Sequence, residues 1–199
     1  MHLNIIARVL GLLLMIFSLT MLPPIAVALI YGEDTSSTFA LAFGITLLAG
    51  LVFWLPAKNE RAEMRTRDGF LITVFFWLVL TTFGALPLML SDALQLSFVN
   101  ALFESVSGLT TTGATVVSGL DNLPKSILYY RQQLQWLGGI GIVVIAVAIL
   151  PMLGVGGMQL YRTETPGPMK DSKLTPRIRE TANVLFRIYL ALTIACALA

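Results

Sequence analysis

Charge is scarce in this sequence. Asp, Glu, Lys and Arg supply 12% of the 199 residues, and the formal net charge is only +2. So small an excess, with its basic residues gathered in loops, excludes a nucleic-acid partner. There is one histidine, His2, to which no role is assigned, and one cysteine, Cys196, set inside an apolar run. An intramolecular disulfide and a Cys-based metal site are therefore excluded. No Ser/His/Asp, Cys/His or paired-carboxylate arrangement is present, so the chain is expected to be neither an enzyme nor the holder of an organic cofactor. What is abundant is apolar. Hydrophobic residues make up 56% and the mean hydropathy is +0.82, the composition of an all-α integral membrane protein whose immediate partner is the lipid bilayer.

A hydrocarbon core of about 30 Å needs roughly 20 apolar residues in a helix rising about 1.5 Å each. Runs of that order are Leu3 to Tyr31, Phe39 to Leu55, Gly69 to Leu90, about Leu134 to Leu153, and Asn183 to Ala199. The first is longer than a signal-peptide core and lacks a clean cleavage pattern, so it is read as a retained helix. Pro23-Pro24 is expected to kink it near its far end. The last run is still apolar where the sequence stops, so the chain is expected to be the N-terminal part of a longer protein.

Basic residues set the orientation, because Lys and Arg in short loops concentrate on the cytoplasmic side. Lys58, Arg61, Arg65 and Arg67 lie in one connection and Arg162, Lys170, Lys173, Arg177 and Arg179 in another; both are expected inside. The turn Gly32 to Thr38 carries Glu33 and Asp34 but no base, and Ser91 to Tyr130 carries only Lys125. Both are expected outside, which places the N-terminus in the cytoplasm.

Between the third and fourth runs lies SFVNALFESVSGL, Ser97 to Leu109. As a helix it is about 20 Å long, too short to span. Ser97 suits the N-cap, Phe98, Leu102, Val106 and Leu109 recur at helical spacing, and Gly108 reads as a stop signal. Since both flanking runs must have their near ends outside, this helix dips in and the chain climbs back through TTTGAT. Irregular backbone at membrane depth is tolerated only where protein buries it or it lines a water-filled cavity. An extended stretch with aligned carbonyls, spare threonine hydroxyls and a glycine free of Cβ restraint can replace a cation's hydration shell. The short helix aims the negative end of its dipole at the same place. Glu104, an acid at membrane depth, reads equally as a functional group and as a carboxylate that holds the short helix in place.

FESVSGLTTTGAT, followed by LYYRQQLQWLGGIGIVVIAVAILPMLGVGGMQLYRTETPGP, resembles the first pore repeat of the bacterial Trk-type (TrkH-like) potassium-uptake membrane subunits of the Trk/Ktr/HKT superfamily. The resemblance implies a potassium pathway built from four helix, pore-loop, helix repeats behind two extra helices. It implies Thr110, Thr111, Thr112, Gly113 and Ala114 as filter positions for potassium, the transported ion; from their own placement Glu104 and Gly108 are expected to support the pore. It further implies a homodimer and a cytoplasmic nucleotide-binding regulatory subunit of the TrkA kind. The chain then divides into two leading transmembrane helices (1–56), a basic loop (57–68), a first repeat (69–153), a second cytoplasmic loop (154–180) and the start of a second repeat (181–199). A TVGYG-type filter has two glycines and a tyrosine, whereas this one has a single glycine and no aromatic, which implies fewer equivalent ion sites.

The rival reading is a secondary transporter whose broken helix binds substrate at mid-membrane. Gly138, Gly139 and Gly141 lack the third spacing of a dinucleotide fingerprint and are expected to permit close packing against the short helix. Arg131 is read either as a charge setting the field at the pore mouth or as an interfacial anchor beside Tyr129 and Tyr130. Gly154 to Gly157 reads as an inner-face turn.

Overall fold

The computed structural model describes residues 3–58, 66–149 and 174–198. Among them there is no strand; the chain is a succession of helices, α1 (Leu3–Leu19), α2 (Leu22–Tyr31), α3 (Ser36–Ala57), α4 (Thr66–Gly84), α5 (Leu86–Leu90), α6 (Phe98–Leu109), α7 (Lys125–Ile149) and α8 (Leu174–Leu198). Among the described residues three apolar stretches are long enough to cross a membrane: Asn4–Tyr31, Ser36–Ala57 and Leu71–Leu90. Outward-facing Ile16, Leu29, Ile30, Leu48 and Val52 are exposed, as a lipid-facing surface requires.

The first run breaks at Thr20 and Met21, and the cause is chemical. Pro23 and Pro24 open α2, and neither has an N–H to return to the preceding turn. Thr20 O, which an N–H at position 24 would have satisfied, instead accepts the side-chain amide of Gln133 from α7 at 2.9 Å. A second break separates α4 from α5 just ahead of Pro87, and there Tyr130 Oη donates to Gly84 O at 2.9 Å. Gln133 and Tyr130, two of the polar residues that make the first half of α7 look unlike a membrane span, are thus committed to neighbouring helices. That is why α7 starts at Lys125, well before the apolar run expected from Leu134; residues 150–153 of that run lie outside the described residues. Helix α8 likewise starts at Leu174, inside the stretch expected to be loop until residue 180.

Helices α1 and α3 cross at two glycines. A Cβ on Gly11 would stand 2.7 Å from both Gly50 O and Trp54 N, backbone atoms that cannot yield, so only glycine allows this approach. Gly32 ends α2 at φ +68, and its own N–H and that of Glu33 turn back onto the last carbonyls of the helix. The turn that follows is tight enough to carry α3 back alongside α1.

Residues 1–136 form one compact unit and 137–199 another. In the first, Leu14, Met21, Phe39, Leu88, Ile127 and Tyr130 are fully buried, and Phe39 meets Tyr130 edge-on with ring centres 5.4 Å apart. In the second, a Cβ on Gly139 would collide with the ring of Tyr189 on α8. Gly139 therefore serves α7–α8 packing, which corrects, for this glycine, the expectation of packing against the short helix. Residues 154–157 lie outside the described residues.

Candidate functional site

Helix α6 begins as its sequence suggests, with Ser97 in extended conformation and its hydroxyl accepting the Asn100 N–H at 3.3 Å. It does not end where the glycine suggests. Gly108 remains helical and buried, and a Cβ there would stand 3.0 Å from Leu134 Cβ; its service is to let α6 lie against α7. The left-handed residue that closes the helix is Thr111, at φ +58. A β-branched residue there is an outlier that glycine would normally replace, a strain of roughly 1–3 kcal/mol of the kind held at functional sites.

The N–H groups of the next residues all fold back onto the helix end. Thr110 N–H donates to Val106 O at 2.8 Å, Thr111 N–H to Gly108 O at 2.9 Å, and Thr112 and Gly113 N–H to Ser107 O at 2.9 and 3.4 Å. No peptide here is cis, and in a trans peptide the C=O points opposite to the N–H of the same plane. The carbonyls of Leu109, Thr110, Thr111 and Thr112 are thereby turned away from α6. Gly113, at φ +75, continues the irregular path in a conformation that L-residues resist, and only Gln135 Nε2, at 3.8 Å, lies near the position of a Cβ. Residues 110–116 are exposed on this side.

Three expected oxygen ligands are otherwise engaged. Ala114 O accepts the Ser107 hydroxyl at 2.6 Å, so this carbonyl faces α6 and does not continue the outward row. Thr110 Oγ1 donates its one proton to Val106 O at 2.8 Å, so in its 2.8 Å contact with Thr112 Oγ1 it is Thr112 that donates. The hydroxyls of Thr110 and Thr112 thus brace the loop.

Behind the loop sits Glu104, its side chain 2% exposed. Oε1 accepts the Thr115 hydroxyl and the Val116 N–H, each at 2.6 Å, and Oε2 pairs with Arg131 at 2.8 Å. Arg131 also donates to Thr115 Oγ1 at 2.9 Å, and that oxygen accepts Val117 N–H at 3.0 Å. Several directed donors and a cation in contact satisfy the oxygens of a carboxylate in an otherwise costly place. The ion pair bolts the return segment to both α6 and α7. Arg131 is therefore a paired charge, which α7 delivers to Glu104.

The sequence reading missed three partners: Ser107, Arg131 as the counter-ion, and Glu33, which was used only for orientation. A buried acid and a base at the same depth is a signal that the sequence does carry. Ser107 and Glu33 give none, since their partners are fixed by tertiary structure.

The family described as TrkH, cation transport protein, matches residues 35–199. Across all 199 residues the chain is 64% identical to the Trk system potassium uptake protein TrkH of Halomonas elongata and 56% identical to that of Escherichia coli K12. The crystal structure of the potassium transporter TrkH from Vibrio parahaemolyticus superposes with a TM-score of 0.84 at 50% identity, covering 100% of this chain and 39% of that one. The chain spans 41% of the length of the relatives it matches.

Proposed function

The chain belongs to the TrkH family of cation transport proteins, and from that premise we propose that it forms part of a potassium-uptake pathway in which the loop after α6 is one wall of the ion filter. The observation that carries this reading is the outward row of carbonyls from Leu109 to Thr112, forced by four N–H groups turning back onto α6. Thr110, Thr111 and Thr112 supply this wall mainly through backbone oxygen, and Gly113 carries it on at positive φ. Ala114 is a brace, tied to Ser107.

A dehydrated cation needs carbonyls from about four directions, so the other walls come from further loops of the same kind. Glu104 and Gly108 support the wall, one by fixing the return segment and the other by admitting α7. The membrane is the inner (plasma) membrane, with the N-terminus and the basic loops cytoplasmic. A second copy and a cytoplasmic nucleotide-binding regulatory subunit complete the proposed assembly.

The test is Gly113→Ser in the complete gene product. A Cβ at φ +75 costs about 1 kcal/mol or more, although there is room for the side chain. Potassium-over-sodium discrimination in competition uptake is expected to fall, up to about tenfold for each 1.4 kcal/mol of differential binding. Thr112→Val, which loses only a bracing hydroxyl, is expected to be milder. Unchanged discrimination in Gly113→Ser at normal membrane levels removes this loop from the filter.

A further inference from the structure

The turn between α2 and α3 reaches across the fold to the start of α7. Glu33 Oε1 accepts the Lys125 N–H at 2.5 Å, and Oε2 accepts the Ser126 N–H at 3.0 Å and the Ser126 hydroxyl at 2.5 Å. Ser126 has spent its proton on Glu33, so in the 2.7 Å contact between the two hydroxyls Thr35 donates to Ser126. Thr35 and Ser126 are both buried. The first amides of any helix lack intrahelical acceptors and carry partial positive charge, which a carboxylate satisfies. Here that carboxylate belongs to the leading helix pair.

Five residues beyond Ser126, about 7.5 Å along the axis, α7 presents Arg131 to Glu104 and Thr115. Between the two points Tyr130 is held by Phe39 of α3 and by Gly84 O. A helix clamped at its first turn and again at Tyr130 has little freedom to rotate or slide. Any such motion would carry the Arg131 guanidinium away from the carboxylate it touches at 2.8 Å.

We propose that Glu33 is a positioning residue for the ion filter: by seating the first turn of α7 it fixes where Arg131 stands, and so where Glu104 holds the return segment of the loop. This rests on the filter reading above. It gives the two leading helices a part in ion discrimination beyond membrane anchoring.

The experiment compares Glu33→Ala, Glu33→Gln, Arg131→Met and Gly113→Ser in the complete gene product, in cells lacking other potassium uptake and at matched membrane levels. Glu33→Ala is expected to raise KM for potassium and lower potassium-over-sodium discrimination, each by about threefold or more, with the maximal rate largely kept. Glu33→Gln retains an acceptor oxygen and is expected to recover most of this. Glu33→Ala combined with Arg131→Met is expected to be no worse than Arg131→Met alone, because both act through one strut. Wild-type KM and discrimination in Glu33→Ala, or additive effects in the double variant, overturn the proposal. Where Glu33→Ala does not reach the membrane, Ser126→Ala, which deletes the hydroxyl's contacts with Glu33 and Thr35 and keeps both amides on the carboxylate, is read against the same two outcomes. A shift in Gly113→Ser without one in Glu33→Ala overturns the positioning role alone; no shift in Gly113→Ser overturns the filter reading and this role with it.

Discussion

Replacing Arg131 by methionine removes the guanidinium from a carboxylate whose side chain is 2% exposed, while keeping most of the aliphatic stem. Deleting one partner of a buried pair costs about 3–5 kcal/mol. Glu104 keeps its two donors on Oε1, and the Arg131 side chain is itself 17% exposed, so the lower end, about 3 kcal/mol, applies. That is roughly a hundredfold in the balance between a seated and a displaced return segment. Glu104→Gln alone preserves shape and an acceptor for Thr115 and Val116 but turns a dipole toward Arg131, costing about 2 kcal/mol. The double variant has no unpaired charge and is expected to lose far less than the sum, leaving a coupling of about 2 kcal/mol or more. The assay is a denaturant titration of the purified, complete gene product in micelles, with potassium-over-sodium competition as the functional arm. Additivity within about 0.5 kcal/mol refutes the reasoning, because it means that Thr115 and Val116 place the carboxylate without help from the ion pair.

Strain at Thr111 gives a second expectation: Thr111→Gly relieves a positive φ, so in the same titration it is expected to be at least about 1 kcal/mol less harmful than Thr110→Gly, where φ is −86. Orientation is checked by single cysteines in a Cys196→Ser background; Arg65→Cys and Lys173→Cys are expected to label only from the cytoplasm, and Asn122→Cys, on an exposed turn, only from outside. At Glu33 burial raises the carboxyl pKa, but the hydrogen bonds from Ser126 and Lys125 outweigh it and hold it below the ordinary 4.5. A depressed folded value means that this stabilisation is full above about pH 4.5 and is lost as pH falls through the depressed value. Glu33→Gln is therefore expected to flatten the acid limb of the stability curve, and an unchanged limb counts against the cap.

Features set by local chemistry were legible in the sequence. Ser97 caps α6, Pro23-Pro24 break the first span, and the Thr-Thr-Thr-Gly turn stands out because its neighbours are apolar. Legibility failed where a residue's purpose lies in a distant segment. Gly108 looked like a terminator because only its position near the helix end was visible, not Leu134 pressing on it. The start of α7 was obscured because hydropathy treats Gln133 and Tyr130 as polar or interfacial, whereas each serves a carbonyl at a helix break. Ala114 looked like one more ligand in a row because sequence does not show Ser107 beneath it. Glu33 was legible as a charge and illegible as a cap for an amide more than ninety residues away.

The amide of Gln133 meets a carbonyl made 113 residues earlier. Chain synthesis at about 5–20 residues per second separates the two by roughly 6 to 23 s. Through that interval the break at Thr20 lacks the donor that meets its carbonyl in the folded chain, a lack that is costly in hydrocarbon and cheap beside water. The leading helices are thus built to wait. Until α7 arrives, the break must keep a hydrated face or the attention of an insertion factor, so the order in which the helices are made sets when the first span can fully dry.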